Sequence, residues 1–173
     1  MNKKEIKEAF DYIDNSGEYK CKLTYNSDDL LVYSAQANIK ILTEPKQIVI
    51  DVNFYLNDNA TVFLMFISKG YSGINSQLID RLLLLINSMT RHGFFAYYQT
   101  GEIVFRHDLP TDYLDRQKIF DTLRNFEKVY VGVTPKLDSY ALEWGLEYIT
   151  PSEHKNLIKN LEWFFRGIER VLE

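Results

Sequence analysis

The run over residues 75–110, NSQLIDRLLLLINSMTRHGFFAYYQTGEIVFRHDLP, constrains this chain more than any other. It spells an apolar helix, a glycine stop and an immediate β-hairpin. A helix is thereby set directly against a sheet, with almost nothing in the segment able to do chemistry. Asn75 or Ser76 can accept a hydrogen bond from the unpaired N–H groups of the first helical turn. Leu78, Leu82, Leu85 and Met89 recur on one stripe at helical spacing, and Ile79, Leu83 and Ile86 widen it. Arg91 and His92 suit the negative end of the helix dipole, and Gly93 can take the left-handed conformation that closes a helix. Gly101 then turns the chain between two runs of strand formers, 94–98 and 103–106, and Pro110 stops the second.

The rest of the sequence extends this α+β pattern. Residues 3–14 read as a short amphipathic helix with Ile6, Phe10 and Ile13 on one face, ended by Asn15-Ser16-Gly17. Residues 19–25 alternate as a half-buried strand, with a turn at 26–29. Residues 31–41 alternate for so long that they predict one extended or bent strand, broken by Glu44-Pro45-Lys46. Residues 47–55 and 61–68 add two strands around the polar turn Asn57-Asp58-Asn59. After the hairpin, Thr111 is expected to cap a helix from about 112 to 128, and Thr134-Pro135 to start another. Thr150-Pro151-Ser152-Glu153 has the form of a capping box, followed by an amphipathic helix carrying Leu157, Leu161, Phe164, Ile168 and Val171. The expected fold is an antiparallel meander plus hairpin packed with helices. Its order is helix, three or four strands, helix, two strands, helix, with extra C-terminal helices.

Composition narrows the function classes. At 173 residues the simplest expectation is a single chain-length core, and 14% aromatic residues argue against disorder. A net charge of −4 with interspersed Lys and Arg gives no basic stripe for nucleic acid. The N-terminus lacks a secretory apolar region and no run reaches membrane-spanning length, so a cytoplasmic protein is expected. Cys21 is the sole cysteine, which excludes an intrachain disulfide and a cysteine-only metal site. It shares a side with Tyr19 and Leu23 and reads as a small buried apolar group; a thiol activated by Lys20 or Lys22 is the alternative.

Reactive constellations are sparse. His92, His107 and His154 have no metal-ligand spacing, and no metal or cofactor is expected. Arg106-His107-Asp108 mimics a catalytic triplet, but on a strand Arg106 and Asp108 share a face that His107 leaves, and a solvated or tyrosine-paired histidine is the plainer reading. The glycines of KGYSG (Gly70, Gly73) shape a strand-to-helix loop that lacks the Lys and Ser/Thr of a phosphate-binding motif. Asp29 followed by Glu44-Pro45-Lys46 repeats the D…ExK order of metal-dependent nucleases, which would need the carboxylates and lysine gathered at one metal. The acids Asp11, Asp14, Asp28 and Asp29 read as helix-end and turn residues.

One resemblance is carried by residues 84–87 (LLIN), then Gly93-Phe94-Phe95, then 101–106 (GEIVFR) and the polar stretch 107–113. This order of apolar helix ending near an Asn, Gly-aromatic strand and G-x-x-x-x-R strand resembles the YbjN family and the wider type III secretion chaperone-like fold. The likeness spans most of 1–131, which is expected to form the family-like domain; 132–173 extends beyond the usual end, to pack on that domain or on a partner. The meander is also richer by a strand than the family's minimal pattern. The resemblance implies a non-enzymatic role and homodimerisation through the helix–hairpin region, and it carries over no catalytic residue.

The function expected is therefore protein binding, chaperone-like or regulatory, through apolar sheet and helix surface. Phe94, Tyr97, Tyr98 and Phe105 on the hairpin, with Trp163 and Phe164 on the last helix, are the candidate contacts. A metal-dependent nuclease and a small immunity or antitoxin-type inhibitor are the competing readings.

Overall fold

In the computed structural model the described residues are 1–41, 44–72, 76–90, 92–98 and 101–148. Helix α1 (Lys3–Asn15) is followed by strands β1 (Lys20–Asn26), β2 (Leu30–Ile41), β3 (Glu44–Tyr55) and β4 (Ala60–Ser68). A short strand β5 (Tyr71–Ser72) leads to helix α2 (Ser76–Met89), the hairpin β6 (Phe94–Tyr97) and β7 (Ile103–Pro110), a 3-10 turn at Thr111–Tyr113, helix α3 (Arg116–Glu143) and strand β8 (Glu147–Tyr148). The expected α+β class is met, with the expected run of helix, meander, helix, hairpin and helix; the short strands β5 and β8 are additions to it. The main sheet is antiparallel and six-stranded in the order β1-β2-β3-β4-β7-β6, while β5 and β8 pair separately.

Helix α1 begins with a capping box that the sequence reading passed over. The Asn2 side chain accepts from the Lys4 and Glu5 amides at 3.0 Å each, and Glu5 Oε2 accepts from the Asn2 amide at 2.7 Å. Those bonds satisfy first-turn groups that would otherwise be unpaired. Ile6, Ala9, Phe10 and Ile13 then face inward.

The meander follows from strict alternation. In β3, Ile48, Ile50, Val52 and Phe54 are buried, and in β4 Thr61, Phe63, Met65 and Ile67 occupy the same face. In β2 the buried apolar residues are Leu31, Tyr33, Ala35 and Ala37, and Ser34 on the opposite face is buried as well. Phe10 stacks on Tyr33 with ring centroids 4.1 Å apart and meets Phe54 edge-on at 6.0 Å. Helix α3 covers the other half of this face, with Phe126 against Phe63 and Phe105.

Three expectations need correcting. Glu44-Pro45-Lys46 does not break the strand: Pro45 lies within β3, in register with Lys40. There β3 pairs only with β2, because its pairing with β4 starts at Ile50, so one side has no ladder for a missing N–H to interrupt. Thr111 does not cap a helix. It is buried and shares a 2.9 Å hydrogen bond with Thr61, while Asp115 caps α3 by accepting from the Lys118 amide at 2.8 Å. The helices expected on either side of 128–134 form one element, α3, with Pro135 inside it. Pro135 costs the helix a backbone hydrogen bond, and burial of Leu137 and Ala141 beyond it holds the axis together. The capping box at 150–153 and the helix behind it lie outside the described residues.

Candidate functional site

The helices gather on one face of the main sheet, and among the described residues no element covers the other. The register states what that open face carries. One row runs Phe94, Arg106, Leu64, Asp51, Ser34 and Lys22 across all six strands. The next joins Ala96, Val104 and Phe66. Phe66 is 46% exposed, Phe94 41% and Tyr98 49%. Val49 and Tyr55 are exposed on the same face of β3. The surface is thus an aromatic and aliphatic field on β3, β4, β6 and β7, with Val104 buried beneath its rings, followed by polar groups toward β1, where Tyr25 (in register with Val32) is again exposed.

Two polar pairs punctuate it. Arg106 donates two hydrogen bonds to Asp108, from Nε at 2.7 Å and from Nη2 at 2.9 Å. This is the same-face arrangement read from the sequence. The Asp108 carboxylate raises the Arg106 guanidinium above its usual range, and the hydroxyls of Tyr55 and Tyr98 lie close enough to contribute. The pair is solvent-exposed, so it adds little to stability. Nearer β1, the Ser34 hydroxyl donates to Asp51.

The hairpin residues divide by strand parity. Phe94 and Tyr98 present their rings on the open face. Tyr97 points the other way, and its hydroxyl donates to Asp80 Oδ1 on α2 at 2.5 Å. Burial and that acceptor push the Tyr97 hydroxyl well above the ordinary tyrosine range. Phe105 is fully buried between Phe95 and Phe126, each 4.9 Å away by ring centroid. It offers no surface to a partner, because its register opposite Phe95 turns it into the core. Trp163 and Phe164 lie outside the described residues. Phe66, which the sequence reading did not single out, joins the face because β4 pairs with β7.

Edge strand β6 is closed by a side chain. The Asn87 amide of α2 donates to the Phe95 carbonyl at 2.9 Å, and its oxygen accepts from the Phe95 N–H at 2.6 Å. A single asparagine thereby replaces the next strand of the ladder. The Asn at the end of the apolar helix, noted in the sequence, has this physical task.

The remaining candidates separate. Asp29 sits at one end of the β2–β3 hairpin, where its carbonyl accepts from the Leu56 amide, while Glu44 and Lys46 sit at the other end. The separation is roughly 35 Å at strand rise, and it ends the nuclease reading. Glu44 and Lys46 instead pair with each other at 3.8 Å. His107 is neither tyrosine-paired nor on the open face. It packs edge-on to His92, ring centroids 6.2 Å apart, in a cleft with Tyr113, Lys118 and Phe126. Burial, then the neighbouring His92 charge, lowers its pKa. Cys21 is half-buried, and burial followed by the Asp14 carboxylate raises its thiol to about 12, the opposite of activation. Of KGYSG, Tyr71 and Ser72 form β5, and Gly73 lies outside the described residues.

No protein-family model matches this chain, and no curated protein does. Among solved structures, a chain of the HopA1-SchA chaperone-effector complex aligns at a TM-score of 0.49 with 11% identity, over 73% of this chain and 91% of that one. A likeness at that level decides neither family nor function.

Proposed function

We propose that this chain is a non-enzymatic, cytoplasmic protein-binding module, chaperone-like or regulatory, and that the open sheet face receives a segment of its partner. The observation that carries this reading is the sheet face that no element among the described residues covers. Phe66, Phe94 and Tyr98 stand exposed around the Arg106–Asp108 pair, a mixture of greasy rings and fixed polar groups of the kind polypeptide interfaces use. The resemblance of the helix–hairpin run to secretion chaperones agrees with it. Residues 1–131 would supply the binding domain and 132–173 an extension, with Trp163 and Phe164 as further contacts proposed on sequence grounds. Homodimerisation would use α2, where Leu84 is 69% exposed with Leu85 beside it.

The test is site-specific photo-crosslinking in the native cell, with the photoreactive group at Phe94 or Tyr98 and a control at Lys4 on α1. A defined polypeptide captured at both face positions and absent from the control supports the reading. Equal capture at all three positions, or none at the face, overturns it.

A further inference from the structure

We propose that residues 149–173 fold back as a helix onto the open sheet face and cover it until a partner displaces them. The proposal rests on the partner-binding reading of that face and adds its regulation. Where the described chain ends is the first observation. Tyr148 is held by the pairing of β8 with β5 and by its ring, stacked on Tyr71 at 5.4 Å between centroids. It lines the same cleft as Phe66, the exposed ring at one end of β4. The chain that follows therefore starts beside the open face.

The second observation is a match of patterns. Leu157, Leu161, Phe164, Ile168 and Val171 recur on one side of a helix, with Ile158, Phe165 and Leu172 flanking them. The same period places Lys155, Lys159, Arg166 and Arg170 on the opposite side. A helix so divided needs an apolar surface to bury its stripe. On the open face β4 presents Ala60, Val62, Leu64 and Phe66, all at least partly accessible, as an apolar column about 20 Å long. Asp51 and Asn53 border it on β3, and Arg106 and Asp108 on β7. From Leu157 to Val171 the stripe measures about 21 Å at helical rise, so one helix fits the column from end to end. Residues 149–152 reach about 13 Å, enough to carry the chain from the cleft onto Phe66. The exposed pair on α2, Leu84 and Leu85, spans less than one turn and would leave most of the stripe in water.

A cover tethered this way acts at an effective concentration on the order of millimolar, so a modest contact holds it closed. A partner binds only the uncovered fraction, and its apparent affinity falls by that fraction. Once displaced, the stripe, Phe164 included, is free to contact the partner.

The test places a photoreactive phenylalanine analogue at Phe164, on the stripe, or at Arg166, opposite it, in the purified full chain. Mixing isotopically light and heavy chains separates intrachain from interchain products by mass. The expected product is intrachain, joins position 164 to β4 or its neighbours β3 and β7, and forms at least about tenfold more than from position 166. A product with α2 at Leu84 or Leu85, a purely interchain product, equal yields from both positions, or no product overturns the proposal. Leu161→Glu combined with Ile168→Glu gives a second readout in the native cell. Opening the cover should raise polypeptide capture at Tyr98 at least about threefold, and capture that stays at the wild-type level overturns the regulation. No capture in either form, alongside the intrachain product, removes the partner reading and leaves the cover standing. Capture at Tyr98 without the intrachain product removes the cover alone.

Discussion

Gly93 shows how much a single residue can decide. Its φ is +93°, and a Cβ there would lie 2.6 Å from both the Arg106 carbonyl oxygen and the Phe105 ring. Conformation and space both demand glycine where the chain leaves α2 for the hairpin. Gly93→Ala should therefore destabilise by about 2–4 kcal/mol, since strain and a core clash add; a urea midpoint within error of wild type would show that the hairpin relocates freely. His107 makes a second residue-scale prediction. Its pKa is lowered by burial and by His92, so the unfolded chain binds more protons between the folded value and the ordinary 6.5. The stabilising contribution is complete above pH 6.5 and is lost as pH falls through the folded pKa. Urea midpoints from pH 8 to pH 5 should decline, and His107→Gln should flatten that decline. A variant that keeps the full slope would move the effect to other groups. The helix-stop role of Gly93 was legible from its place after an apolar helix, whereas the His92–His107 contact was not, because it depends on how two remote segments meet.

At the scale of elements, legibility followed how strictly one face is buried. Strand β3 alternates over 50–54, so its inward face follows from its sequence, whereas β4 is apolar throughout 62–67 and, like the hairpin, takes its faces only from its pairing. Phe94, Phe95 and Phe105 are equally apolar, and only the pairing of Phe95 with Phe105 settles which rings face out. Helix α3 failed for a different reason. Pro135 is a local stop signal, and tertiary burial of Leu137 and Ala141 overrides it. Pro135→Ala should therefore stabilise the protein by about 1–3 kcal/mol by restoring the bond to the Val131 carbonyl. A higher denaturation midpoint at unchanged slope would be the expected record, and no gain would mean that packing requires a bend there. Asn87 closes the β6 edge with a pair of bonds, so Asn87→Ala should cost about 1–3 kcal/mol and speed hydrogen exchange at the Phe95 amide selectively. Exchange that stays slow there would show another group covering the edge.

Across the whole molecule, the exposed apolar residues assigned to a second copy and those assigned to a partner lie apart, and the separation makes the proposed roles distinguishable. Leu84 and Leu85 project from α2, beyond the edge of the sheet, while Phe66 and Phe94 lie on the open face. Neither set contributes to the core formed by Phe10, Phe63, Phe105 and Phe126, so charge can be introduced at either without unfolding the protein. Replacing Leu84 and Leu85 by Glu should convert a dimer to a monomer in sedimentation velocity and leave crosslinking at Tyr98 intact. Replacing Phe66 and Phe94 by Glu should do the reverse, preserving the sedimentation coefficient while partner capture at Tyr98 falls at least tenfold. Like charges forced into a desolvated contact cost several kcal/mol, which is enough to abolish association at micromolar concentration. A wild-type chain that sediments as a monomer at all concentrations would remove the dimer alone. Loss of both properties in both variants would mean that partner and second copy compete for one continuous surface, and the division between helix and sheet face would have to be abandoned.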